Sequence, residues 1–294
     1  MKLSFVISFS SRRIANISQT LRFLKANENL NECDIVLICQ DKWDSDVEGY
    51  KPINLNLASY NQPKMTNFGV KKAKNDIVAL LDGDRVFPPQ YFQSVYDNIQ
   101  RKQFIATWQM YKLIKDYSDD EIKQNRVEKV EDFKRKSNEP CQKNLFAGSV
   151  VFFQQDYWDI GGMDERYINY GYSDSDMTMN VMHNKYNIVW RYEEELHLYH
   201  ETQVFWENKA VEHMNQLSSA RNALLYHSKW NVPRTERVNE LLNWVRNNPN
   251  LFDADIRRNN EFRMLFNERD VPEEIKEEIK EEIKPPTKKR KFYV

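Results

Sequence analysis

An α/β fold with a mostly parallel central sheet is predicted for this 294-residue chain by three observations. Short apolar runs alternate with stretches of helical periodicity through the N-terminal part of the chain. The runs are nearly continuous rather than alternating in polarity, as expected of strands buried on both faces. Each run also hands over to polar residues at its C-terminal end, where open parallel sheets place ligands.

Leu3–Phe9 reads as the first strand, followed by the polar turn Ser10-Ser11-Arg12-Arg13. Ile14, Ile17, Leu21 and Leu24 then recur at helical spacing, and Asp34–Cys39 forms a second strand ending at Gln40-Asp41. A further helix, about Pro63 to Lys74, leads into the run Ile77-Val78-Ala79-Leu80-Leu81, which ends at Asp82-Gly83-Asp84. Strand and helix alternation implies βαβ units with right-handed crossovers. The crevice is therefore expected at Ser8 to Arg13, at Gln40-Asp41 and at Asp82 to Asp84.

Asp82 and Asp84 put hard oxygen ligands at a sheet edge, and Gly83 leaves room for close backbone approach. That chemistry suits a divalent cation carrying a phosphate, although Asp and Gly also commonly just end a strand in a turn. A second segment, Gly161-Gly162-Met163-Asp164-Glu165-Arg166-Tyr167-Ile168-Asn169-Tyr170-Gly171-Tyr172-Ser173-Asp174-Ser175-Asp176-Met177, mixes glycines, rings and carboxylates, as sugar-binding loops do. Asp174 and Asp176 open a helix, where acidic residues also serve the helix dipole. The third segment is His197-Leu198-Tyr199-His200, which contains two of the five histidines in the chain. On a helix or in an irregular turn this spacing can bring both imidazoles to one ion, or leave an ordinary partly buried pair.

Together these segments resemble the nucleotide-sugar-dependent glycosyltransferases of the GT-A fold, in the inverting group that includes family 2 and the β1,4-galactosyltransferase-like C-terminal block. Lys64-Met65-Thr66-Asn67-Phe68-Gly69-Val70-Lys71-Lys72-Ala73 is similar to the helix preceding the family's Asp-x-Asp strand. The Gly161 to Met177 segment is similar to its Gly-Gly-Phe-Asp-Glu...Gly-Tyr/Trp-Gly-x-Glu-Asp-x-Asp block, and His197 and His200 fit its short histidine element. The resemblance covers roughly residues 1 to 205. It implies a Rossmann-like sheet with flanking helices and a C-terminal helical appendage.

The resemblance implies transfer of a sugar from a UDP-sugar to a hydroxyl of a glycan or glycoconjugate acceptor. Asp84, His197 and His200 would hold the cation, with Asp82 in support, and the mixed oxygen and imidazole set favours Mn²⁺ over Mg²⁺. Asp174 matches the general base. Ser8, Arg12, Asp41, Lys64, Asp82 and Gly148 are the donor-binding candidates; Arg13 is not separable from Arg12, and Asn67 is a further one. Gly148 falls in a strand expected to floor the sugar pocket. Tyr170, Tyr172 and Asp176 are acceptor candidates, with Trp206 as another ring. Ser173 stands where the family commonly has Glu, which puts sugar choice in question. The alternatives are a sugar-nucleotide-binding protein without turnover and a nucleotidyltransferase, whose usual glycine-rich loop is missing from Ser8 to Arg13.

A formal net charge of −1 gives no reason to expect nucleic acid or an anionic membrane as main partner. Cys33, Cys39 and Cys141 lack metal-type spacing and suggest free thiols, and no stretch of ~20 apolar residues is present, so a cytoplasmic location without a membrane anchor is expected. The organisation expected is a catalytic domain over 1–206, a helical region over 207–270 and a charged tail over 271–294. The segment from Asp116 to Asn138 is charged and reads as a helical insertion. The tail cluster Lys288-Lys289-Arg290-Lys291 reads as a solvated end or a basic targeting signal, and a nucleic-acid role for it would vanish on truncation after Arg269.

Overall fold

The computed structural model describes residues 1–112, 116–128, 145–146, 148–199, 209–252 and 265. Its contacts divide the chain into two units, Met1–Arg166 with Ser173–Glu201, and Tyr167–Tyr172 with Thr202–Val294.

The first unit is organised around β1 (Leu3–Phe9), buried along its length except at Ser8 near its C-terminal end. A single 3-10 turn, Ser11–Arg13, leads into α1 (Ile14–Asn27), whose buried stripe Ile17, Leu21 and Leu24 has the spacing read from the sequence. Then come β2 (Asp34–Cys39), the two-residue β3 (Ile53–Asn54), α2 (Gln62–Lys72) and β4 (Ile77–Asp82). Helix α2 begins one residue earlier and ends two residues sooner than expected. Its start is set by Asn61, whose side chain accepts the Lys64 N–H at 2.8 Å, with Pro63 in the first turn.

Beyond β4 lie β5 (Arg85–Val86), α3 (Tyr91–Asn98), β6 (Gln103–Lys112), α4 (Asp119–Glu128), β7 (Ser149–Phe153), α5 (Gln154–Asp159), α6 (Ser173–His183) and β8 (Asn187–His197). The eight strands form one sheet in the order β3-β2-β1-β4-β7-β6-β8-β5. Pairs β1–β2, β1–β4, β2–β3 and β6–β8 are parallel, whereas β4–β7, β6–β7 and β5–β8 are antiparallel. Parallel pairing thus prevails, and the antiparallel insertions were invisible in sequence. A strand buried on both faces has the same apolar run whichever way its neighbour points.

Residue alternation along β1 divides the core. Phe5 and Ile7 face one layer with Ile17, Leu21, Ala79, Leu81 and Phe92, while Val6 faces the other with Met65, Val70, Leu80, Phe152 and Met177. His197 is the last residue of β8, on a strand rather than on a helix face. Its position at the strand end follows from the register Arg85↔His197 of the short β5–β8 ladder.

In the second unit, α7 (Lys209–Trp230) and α8 (Glu236–Asn247) pack through Leu217, Leu224, Val238, Leu242 and Val245 around Ile168. Asn222 ties Tyr167–Tyr172 to α7 by donating from its amide to the carbonyls of Ile168 (2.9 Å), Tyr170 (3.2 Å) and Gly171 (3.0 Å). Among the described residues no helix is long and apolar enough to cross a membrane. The charged tail and most of the expected insertion beyond Glu128 lie outside the described residues.

Candidate active site

The turn after β4 gathers charge around one guanidinium. Arg85, the residue after Asp82-Gly83-Asp84, is only 6% exposed. It donates from Nη2 to Asp82 Oδ2 at 3.2 Å, its Nε stands 3.3 Å from Asp84 Oδ1, and its Nη1 stands 3.7 Å from Glu195 Oε1. Glu195 is fully buried and accepts the Thr107 hydroxyl at 2.8 Å. Asp84 turns its other oxygen to His197, with Oδ2 3.3 Å from Nε2, and its carbonyl accepts the Leu198 N–H at 2.8 Å. The turn can be this tight because a side chain at Gly83 would overlap Ile17 of α1.

These groups shift one another. Burial raises the Asp82 carboxyl, and the neighbouring Asp84 charge adds to the rise, against the stabilising pull of Arg85. Glu195 is pushed up to about 7 by burial despite Arg85 and the Thr107 hydrogen bond. Ligands about 2.1 Å from one ion and roughly at right angles stand about 3 Å apart, close to the Asp84–His197 separation. A carboxylate with an imidazole is a combination suited to a transition ion. Among the described residues no three His, Cys, Asp or Glu side chains form a complete metal group, and His200 lies outside the described residues.

Beside the turn, a small cavity open to solvent is lined by Ser8, Gln62, Thr66, Asp82, Gly148 and Met163, among others. Ser8 and Asp82 are register partners on β1 and β4, and the Gly148 carbonyl accepts the Asp82 N–H at 2.9 Å. Gly148 has φ +125, and a Cβ there would meet Glu195 Oε1 at 2.5 Å, so both the backbone and the space require glycine. The sequence had placed Ser8, Asp82 and Gly148 together. Gln62 and Thr66 were missed, although their position one turn apart at the start of α2 was a usable signal.

At the β1 and β2 ends, Asp41 accepts the Ser11 N–H at 2.8 Å, the Ser11 hydroxyl at 2.7 Å and the Cys39 thiol at 3.1 Å. These hydrogen bonds hold its carboxyl below the usual range against the opposing effect of burial, which is the largest single influence. Arg12 is exposed, whereas Arg13 is half-buried, its pKa lowered by that burial and partly restored by Asp84 and Tyr60. The structure thereby distinguishes two arginines that the sequence could not. Lys64 is exposed on α2. Tyr60, unremarked in sequence, is raised chiefly by burial and then by Asp82, Asp174 and Asp84, which places it among the carboxylates.

Asp174, in the first turn of α6, has its carboxyl pushed up to about 7, first by burial and then by Asp82, against Arg85. Its Oδ1 is buried with no hydrogen-bond partner among the described residues. Asp176 is 1% exposed. Asn67 is committed elsewhere: its amide donates to Met163 O (2.8 Å) and Glu165 Oε1 (2.9 Å), and its carbonyl accepts from Tyr157 Oη (2.5 Å) and the Met163 N–H (3.0 Å). It fastens the Gly161–Glu165 loop to α2 and has no capacity left for a nucleotide. In the second unit, Tyr170 is 58% exposed and Tyr172 packs on Tyr226 and His227. Trp206 lies outside the described residues.

Two family models match the chain over these elements. Residues 60–161 match glycosyl transferase family 2, and residues 128–202 match a model described as the N-terminal domain of galactosyltransferase. Both are models of glycosyltransferases, and together they cover residues 60–202.

No curated protein matches this chain in sequence. Among solved structures it is similar to a mutant Drosophila β1,4-galactosyltransferase 7 in complex with manganese, UDP-Gal and xylobiose, at 11% identity, 65% of each chain covered and TM-score 0.43. It is also similar to GalNAc-T7 with UDP, GalNAc and Mn²⁺, at 12% identity, with 68% of this chain and 44% of that one covered and TM-score 0.49. The catalytic domain of the Drosophila enzyme with xylobiose gives 12% identity, 65% and 66% coverage and TM-score 0.42. The chain spans less than two thirds of the length of each of these proteins.

Proposed function

We propose that this chain is a glycosyltransferase that moves a sugar from a UDP-sugar to an acceptor hydroxyl with inversion, and that Asp174 is the general base. The observation that carries the reading is the state of Asp174: a half-buried aspartate with one buried carboxylate oxygen that has no hydrogen-bond partner among the described residues, its pKa held near neutral beside Asp82. A base so tuned ionises within the physiological range and has a lone pair free for an acceptor proton. As the hydroxyl oxygen forms its bond to the anomeric carbon, the hydroxyl proton passes to Asp174 and the bond to the diphosphate breaks on the opposite face.

Asp84 and His197, with His200, are the residues that would hold a divalent cation, preferentially Mn²⁺. Such an ion supplies Lewis-acid stabilisation of the leaving diphosphate. Ser8, Asp82 and Gly148 line the cavity assigned to the donor, and Gly148 keeps its wall flat. Asp41 at the β2 end is assigned the uracil imide, and Arg13, half-buried and interacting with Asp84, or the exposed Arg12 beside it, the phosphate oxygens.

Asp174→Asn tests the assignment. UDP binding with Mn²⁺ should persist while transfer or hydrolysis of the UDP-sugar falls by about 10² to 10⁴. Unchanged turnover removes Asp174 from the mechanism, and a wild-type chain that binds UDP but never releases it from any UDP-sugar indicates a binding protein without turnover.

A further inference from the structure

Arg85 is unusual in its position. A cation next to an acidic pair that is to receive a metal ion competes with that ion for the carboxylates, so its presence needs a physical reason. Its guanidinium is buried and faces three carboxylates at once, Asp82 at 3.2 Å, Asp84 at 3.3 Å and Glu195 at 3.7 Å. Glu195 cannot swing away, since it is held by Thr107 at 2.8 Å and lies against Gly148. Asp84 therefore splits its two oxygens: Oδ1 stands by Arg85 and Oδ2 stands by His197.

We propose that Arg85, anchored by Glu195, is a positioning residue that fixes the Asp84 carboxylate so that one oxygen is presented with His197 to the divalent cation. The inference rests on the reading of Asp84 and His197 as cation ligands and adds the device that orients them. A planar fork can meet three carboxylates in fixed directions, whereas an ammonium is a point charge that cannot. Groups that orient a metal ligand typically change metal affinity 10- to 100-fold when lost.

Arg85→Lys separates geometry from charge, because the charge is kept and the fork is lost. Mn²⁺ binding in the presence of UDP is read from the electron paramagnetic resonance signal of the free ion, and fold integrity from the melting temperature in EDTA. The expected result is an affinity at least about tenfold weaker with the melting temperature retained. Glu195→Gln is the second variant: it keeps shape and the Thr107 hydrogen bond but releases the Arg85 charge onto the aspartates, and it should also weaken Mn²⁺ binding. If Arg85→Lys does not fold, Glu195→Gln decides. Wild-type affinity in the folded variants overturns the role of Arg85 alone. A wild-type protein that takes up no Mn²⁺ with UDP overturns the cation reading beneath it.

Discussion

Asp174 combines two demands that pull against each other. Burial and the Asp82 charge push its carboxyl up to about 7, so the folded state prefers the neutral form while the proposed chemistry needs the ionised one. For activity the sign is direct: turnover should rise with pH through about 7 and level off above it, and a rate profile flat from pH 5 to 8 would exclude Asp174 as the base. For stability the sign is opposite. An ordinary Asp titrates near ~3.9 in the unfolded chain, so Asp174 contributes fully below that value and its contribution is lost as pH rises through about 7. Asp174→Asn should therefore gain more melting temperature over wild type at pH 8 than at pH 5, measured by thermal unfolding at both values.

Asp174 and Asp82 were legible in sequence because they sit in contiguous motifs. Arg85 and Glu195 were not, although Arg85 directly follows the motif. A surface arginine and a buried one look alike until the chain folds, and Glu195 stands within a run of three glutamates of which only the β8 register selects it for burial.

At the level of elements, the site exists because strand ends meet. β4 delivers Asp82, the two-residue β5 turns Arg85 inward, and β8 returns antiparallel to it so that His197 falls opposite Arg85. Helix α2 contributes in a different way. Asn67 clamps the Gly161–Glu165 loop through three hydrogen bonds and α5 through a fourth, from Tyr157, and the loop leads toward α6 and Asp174. Asn67→Ala should cost about 1 to 3 kcal/mol, since it leaves the buried Tyr157 hydroxyl without its acceptor and the Met163 carbonyl without the Asn67 amide, while the Met163 N–H keeps Tyr157 Oη at 3.1 Å. Denaturant unfolding measures that loss; an unchanged midpoint would return Asn67 to the nucleotide candidates. The βαβ start was readable element by element. The antiparallel strands β7 and β5 were not distinguishable by period, because burial on both faces erases the signal of direction.

For the molecule as a whole, the cation and the nucleotide should act as one ligand pair. Binding to the native state alone stabilises by mass action, ~2.7 kcal/mol at a hundredfold excess over Kd. UDP with Mn²⁺ should therefore raise the melting temperature by several degrees, and EDTA should reverse the gain. A shift with UDP that is insensitive to EDTA would argue against a shared cation. The second unit has its own core around α7 and α8, and the Tyr167–Tyr172 stretch belongs to it through Asn222. That membership breaks a motif that is continuous in sequence, and only a long-range amide could assign it.

The sequence by itself determined the α/β class, the order of the first strands and helices, and the chemistry of the acidic and imidazole motifs, because buried strands and ligand groups are local properties of residue type and spacing. Tertiary structure decided which ionisable groups share a neighbourhood: Arg85 with Asp82, Asp84 and Glu195, His197 with Asp84, and the half-buried Arg13 with Asp84. The physical reason is that charge interaction and desolvation depend on distances set by strand register and turn geometry, which residues far apart in the chain acquire only when the sheet closes.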